Sequence, residues 1–430
     1  MTTDLFSNPK RFGDMTSWRE EALALHARGV FHAIEAEGFG SFRAVIGREE
    51  ILEIEAQPDL FTNGPEPILT LDAILEMRAQ GGPRAKTLIH MDDPEHRKYR
   101  MLTNDWFKPG SVRQLQPRLD ELSRKALATL EGGGGEIDFN TEVALPFPLE
   151  VILAILGLPE EDYPRMLQLT QEMFGASDPD LVPKDRDPED VLAVLRDFFQ
   201  YFATLSANRR ANPTDDLATC IANGLIDGAP MPDLETMGYY LIVATAGHDT
   251  TSASIADGMR LLAENPDQLA LLRSKPELIP NAVEELVRVA APVRHFMRTA
   301  QDDTEIAGEP IAKGEWLLLS YAAANLDPRA FEDPLRFDVA RESADRQIAF
   351  GYGVHYCLGA HLARLEMETL FGHLLPRIEW VELAGEVTTS TATFVSGIKS
   401  LPIRYTLTAV GPTGRARCTR SCSNRSTSVV

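Results

Sequence analysis

The chain has 430 residues, 25% of them charged and 44% in the set AVILMFWYC, enough for a large buried core and unlike a disordered polymer. Its 42 basic and 64 acidic residues leave a net charge of −22, a field that repels nucleic-acid phosphates and anionic lipid. No apolar run reaches the ~18 residues of a spanning helix, the first residues lack a signal peptide's basic and apolar regions, and four cysteines build no disulfide framework, so a soluble, cytoplasmic protein is expected.

Length alone allows about three domains, but no linker or fixed-period repeat divides the chain. Residues 42–46 read as a short strand. A helical pattern over 111–130 runs into the loop Glu131-Gly-Gly-Gly-Gly135, and a second helical pattern covers 148–157. Segment 174–190 carries three prolines and is expected to be a mobile connection between helices. The longest helical pattern spans 233–265, with Asp233 as N-cap and Asn265-Pro266 as stop. Another helix is predicted from about 277 to 290. Short β-like runs follow at 304–307, 315–320, 379–383 and 401–408. Helices dominate, so the fold class is mainly α with small β-sheets. The last twenty residues, Gly411 to Val430, have four arginines, no acids and seven Ser/Thr, and read as a disordered tail or a cloning or reading-frame scar. Cys418 and Cys422 stand there without a further Cys or His nearby, so a metal site is not expected.

Three segments carry chemistry. The long helix is small and hydroxyl-rich at Ala244-Thr-Ala-Gly-His-Asp-Thr-Thr-Ser-Ala-Ser254, where a crossing helix should be leucine-rich. That composition suits either a polar face or kink, or a groove where a ligand lies against the backbone and Asp249 and Thr250 hand it protons. Glu285 and Arg288, three apart on a helix, share a face; they form an ordinary surface pair or, among Val283, Leu286, Val287 and Val289, a buried structural one. Phe350-Gly-Tyr-Gly-Val-His-Tyr-Cys-Leu-Gly359 is a glycine-rich loop opening into an apolar helix. A cysteine at a helix N-terminus is biased towards thiolate, and the glycines permit a flat cofactor to approach the backbone. Cys357 is either a small core residue or a metal ligand. No partner ligand at zinc spacing accompanies it, whereas haem needs one protein ligand.

Together these segments resemble the cytochrome P450 haem-thiolate monooxygenases, in the family's own order, from about residue 12 to 408. The resemblance implies a triangular single domain over 1–410, with haem b between the long central helix and the cysteine loop, followed by the tail 411–430. It makes Cys357 the axial thiolate. Phe350, Gly351 and Gly359 belong to the same loop. Asp249 and Thr250 become the acid–alcohol pair that delivers protons, beside a groove at Ala246 and Gly247. His96, Arg100, Arg298 and His355 match the propionate partners, and Glu285, Arg288 and Arg341 a structural ion network. It implies a monomer that uses O2 and takes electrons from NAD(P)H through an iron–sulfur ferredoxin and its reductase. Arg97, Lys98, Lys108 and Arg364 are the expected docking cations.

A closer resemblance, carried by Asn104-Asp-Trp-Phe-Lys-Pro, Ala244-Thr-Ala-Gly-His-Asp-Thr-Thr and Ala291-Pro-Val-Arg-His-Phe-Met-Arg-Thr-Ala, is to the bacterial terpineol-oxidising subfamily and its relatives acting on small aromatic hydrocarbons. It implies a substrate pocket of Val243, Ala244, Val293, Phe296, Phe394 and Val395, suited to hydroxylation or epoxidation of a monoterpene, alkylbenzene or styrene-like molecule. The alternatives are a steroid or fatty acid, a peroxide-driven enzyme, or a non-catalytic haem sensor or carrier.

Overall fold

The computed structural model describes residues 4–81, 86–174 and 188–408. The tail after 410 and residues 175–187 of the proline-bearing connection lie outside the described residues. The elements that build the site are helices α1 (Arg48–Glu55), α2 (Glu95–Met101), α3 (Gln116–Gly132), α4 (Pro146–Ile155), α5 (Asp233–Glu264), α6 (Ile279–Ala290) and α7 (Ala360–Leu374). With them stand strands β1 (Phe31–Ala36), β2 (Gly40–Val45), β3 (Phe61–Thr62), β4 (His295–Ala300) and β5 (Trp316–Ser320).

The long helix is observed where the sequence places it, as 32 residues or roughly 48 Å of α-helix. Asp233 is its first helical residue rather than its cap; Pro232 precedes it without a side-chain cap bond. Asp233 and Glu235 instead put negative charge in the first turn, where the helix dipole favours it. Asn265 ends the helix and Pro266 starts the next one, Pro266–Ser274. The small, hydroxylated middle breaks nothing: the helix runs continuously through it.

The five strands form one sheet in the order β1-β2-β5-β4-β3, with only the β2–β5 pair parallel. Period-two alternation sends Phe42, Ala44 and Leu318 into one apolar cluster and Val45, Leu317 and Leu319 into another. Both faces are thus covered. A second sheet joins Ile378–Leu383, Pro402–Leu407 and Glu136–Asp138. Most of the core is helical, with α5 packed against α4 and α6, and α7 against α3. One domain results, not three.

At Ala291, just past α6, the chain turns through a left-handed residue and becomes β4. That turn carries the chain from the buried Glu285–Arg288 pair to the cavity.

Candidate functional site

Between the middle of α5 and the loop before α7 lies a cavity. Ala246, Gly247 and Thr250 line it from α5, with Ile242 and Val243 one turn earlier. Phe350, Gly351, His355, Cys357 and Gly359 line it from the loop. Gly247 has a packing reason as well, because a Cβ there would sit 3.2 Å from Ile152 of α4.

The hydroxyls of α5 are turned onto its own carbonyls. Thr245 donates to Leu241 at 2.7 Å, Thr250 to Ala246 at 2.9 Å and Ser254 to Thr250 at 2.9 Å. Such bonds compete with the helix ladder and leave these oxygens ready to exchange partners. Asp249 does not line the cavity. Its Oδ1 lies 3.1 Å from Nδ1 of the buried His248, whose Nε2 is 3.2 Å from the Leu145 carbonyl, and its Oδ2 is unpaired among the described residues. The acid and the alcohol are therefore neighbours on the chain, with only the alcohol facing the void.

The Cys357 backbone N–H donates to the Phe350 carbonyl at 2.8 Å, which closes the loop. Gly351 and Gly353 hold it at φ of 69° and 66°, left-handed values that favour glycine. Cys357 is exposed towards the cavity. Its thiol does not follow the expectation of a depressed pKa: burial pushes it up, against the pull of the Gly359 and Ala360 N–H groups, Arg100 and Arg364. In the protein alone desolvation wins over the helix terminus, so a thiolate here needs a cation beside it.

The polar edge of the cavity is cationic. His96 from α2 and His355 stack with ring centroids 4.1 Å apart, and the His355 Nε2 lies 2.7 Å from the Asn63 amide nitrogen. Burial, then the Arg100 charge, pushes His96 down to about 4. Burial, then Arg298, pushes His355 well below its ordinary value. Both rings are neutral at pH 7. Arg100 donates to the Tyr356 carbonyl at 2.6 Å. Arg298 is buried on β4 and does not line the cavity; it pairs with Glu55 at 2.8 Å.

Of the expected substrate pocket, Val243, Val293 and Phe296 line the cavity. Ala244 turns into the helical core and is fully buried, as one residue's rotation on α5 requires. Phe394 and Val395 form a backing layer: Val395 bridges Val293, and the Phe394 ring meets Phe296 edge-on at 5.3 Å. Sequence reasoning missed Glu366, a buried carboxyl of α7 that lines the cavity, its Oε2 unpaired among the described residues. Burial pushes its carboxyl well above the usual range. The signal was there, since Glu366 interrupts the apolar stripe of Leu362 and Leu370.

The expected docking cations are already engaged. Arg97 pairs with Asp93, Lys98 with Asp227 and Lys108 with Asp105. Arg364 is half-buried, bound to Glu284 and stacked 4.4 Å over the Phe350 ring. Among the described residues no helix is long and apolar enough to cross a membrane.

The chain matches the family described as Cytochrome P450 over residues 75–407. It is 40% identical to "Cytochrome P450-terp" of a Pseudomonas species, with 86% of this chain and 89% of the relative covered. It is 33% identical to "Linalool 8-monooxygenase" of Pseudomonas putida (87% and 92% covered) and 30% to "Steroid C26-monooxygenase" of Rhodococcus jostii (93% and 84%). The crystal structure of CYP108D1 from Novosphingobium aromaticivorans superposes with a TM-score of 0.86 at 42% identity, over 95% of this chain and 98% of that one.

Proposed function

The chain belongs to the cytochrome P450 family of haem-thiolate monooxygenases, and from that premise we propose that it inserts one oxygen atom from O2 into a small hydrophobic molecule of monoterpene, alkylbenzene or styrene-like kind. The carrying observation is the cavity wall: Leu88, Ile242, Val243, Val287, Val293 and Phe296 surround the space beside Thr250 and offer a substrate no charge. The names of the terpene-directed relatives support the same size class.

The residues fit the cofactor. A single cysteine sulfur faces an apolar void, and the opposite wall is helix backbone with a glycine and an alanine. Arg100 lines the cavity beside two neutral histidines, and Arg298 stands behind them, near enough for its charge to lower both rings; together they would supply positive charge for a pair of propionates. Haem held by the Cys357 sulfur would supply the one-electron and dioxygen chemistry.

The protein's own part is binding and proton supply. Apolar side chains exclude water from the substrate's place and hold the substrate beside the cofactor. The Thr250 hydroxyl, resting on the Ala246 carbonyl, is the proton donor facing the cavity. The Asp249 carboxyl one residue back resupplies it. Electrons come from NAD(P)H through a ferredoxin and its reductase.

Optical titration of the purified holoprotein with monoterpenes, alkylbenzenes, styrenes, steroids and fatty acids tests this reading. A saturable shift of the Soret band with one of the first three classes is expected. A shift confined to steroids or fatty acids would overturn the substrate class, and correctly folded protein that takes up no haem would overturn the cofactor site.

A further inference from the structure

Glu55, the last residue of α1, has none of the roles above, yet its side chain is 1% exposed and that of its partner Arg298 is 4% exposed. Burying a carboxylate is costly unless strong partners hold it. Two do. The Arg298 Nη2 donates to Glu55 Oε1 at 2.8 Å, and the Tyr321 hydroxyl donates to the same oxygen at 2.7 Å. The other oxygen, Oε2, has no partner among the described residues. The backbone of Glu55 is engaged too, because a Cβ on Gly353 would lie 2.2 Å from its carbonyl oxygen. Helix α1, strand β4, the turn of Tyr321–Ala324 and the cysteine loop thus converge on one residue.

The grip on Arg298 is one-sided. Nη2 goes to Glu55, Nη1 to the Met297 carbonyl at 2.9 Å, and the guanidinium lies 5.9 Å from the Phe296 ring centroid. Its charge reaches the cavity's polar edge, where it helps to lower both His355 and His96. A guanidinium pinned on one side by a carboxylate and lying beside that edge can give its remaining donors to a further anion.

We propose that Glu55, clamped by Tyr321, is the positioning residue that orients Arg298 towards a haem propionate, so that retention of haem depends on a carboxyl remote from the iron. The inference rests on the haem site and not on the substrate class, and its test needs neither substrate nor redox partner.

The test follows haem transfer from substrate-free holoprotein to excess apomyoglobin. Outer partners of cofactor-holding groups are typically worth about 10–100-fold in affinity, so E55L should lose haem at least about tenfold faster than the parent. E55Q, which keeps an acceptor oxygen for Arg298 and Tyr321, should stay within about threefold of the parent. In an R298L background E55L should add nothing further. Unchanged haem loss in E55L would overturn the proposal, and so would slower loss, because the carboxyl would then be competing with the propionate for Arg298. Equal acceleration with and without Arg298 would also overturn it, by reducing Glu55 to general packing. If E55L does not fold, Y321F takes its place: it should speed haem loss a few-fold with Arg298 present and leave it unchanged in R298L, and any other result refutes the clamp.

Discussion

Glu285 and Arg288 meet inside the protein with neither side chain exposed, the guanidinium bonding both carboxylate oxygens at 2.6 and 2.8 Å. Helical spacing alone explains the contact; the surroundings explain why it is not a surface pair. Arg341 adds bonds of 3.0 and 3.1 Å to the same carboxylate, and Arg288 also donates to the Asn325 and Pro334 carbonyls. Removing one partner strands a buried charge, so E285A or R288A should cost about 3–5 kcal/mol in urea unfolding. R288K should cost nearly as much, because an ammonium cannot bond two carboxylate oxygens and two carbonyls in one plane. A loss below about 1 kcal/mol in either alanine variant would show that the pair is dispensable.

The cysteine loop sets a second expectation. G353A forces a left-handed residue to carry a Cβ that meets the Glu55 carbonyl oxygen, an atom that cannot swing aside. Haem content of the purified variant should fall several-fold, read from the Soret-to-280 nm absorbance ratio. Gly372, in helix α7 with nothing within 4 Å of its Cβ position, is the control. G372A should be neutral or stabilising by up to about 1 kcal/mol.

Thr250 separates the readings of the chemistry. T250A removes the hydroxyl proposed as the proton donor, so product formed per NAD(P)H consumed should fall at least about tenfold while hydrogen peroxide accumulates. T250S should retain coupling. Undiminished product from T250A would exclude this hydroxyl as the proton source and favour a peroxide-driven enzyme.

His295 gives a pH dependence. Burial pushes it down to about 4, and its Nε2 accepts the Leu69 N–H at 3.1 Å, which only the neutral ring can do. The unfolded chain binds this proton near pH 6.5 and the folded one near 4, so its contribution to stability is present above 6.5 and is lost as pH falls towards 4. The loss should reach about 3 kcal/mol at most, measured by urea unfolding between pH 7 and 4.5. H295L should flatten that slope. An unchanged slope would assign the acid sensitivity to other groups.

The ends of α5 and the cysteine loop were legible because each has a local cause: a proline stop, glycines at left-handed positions, a long unbroken period. Strand β4 was not. Its six residues are mostly buried on both faces, so His295 and Arg298 interrupt the apolar run without producing the alternation that marks a half-exposed strand. The same blindness hid Glu55. Its acidic run, Arg-Glu-Glu-Ile-Leu-Glu-Ile-Glu55, reads as a solvated helix face, and only the approach of β4 and Tyr321, more than 200 residues later in the chain, makes the last carboxyl internal. Ala244 failed differently: a helix face is fixed by rotation, and a motif fixes it only to within a residue. The docking cations were visible as charges, but their acids come partly from distant segments, as Asp227 does for Lys98.

Those occupied cations bear on what salt should do to electron delivery. An acidic donor approaching Arg97, Lys98 and Lys108 meets three charges already answered by Asp93, Asp227 and Asp105. Salt screens charges separated by more than a Debye length, about 10 Å at 0.1 M, before it touches contacts of 2.5 to 3.1 Å. An acidic donor docking on this face would therefore lose its long-range attraction while the pairs hold, and its delivery rate should fall steadily as salt is added.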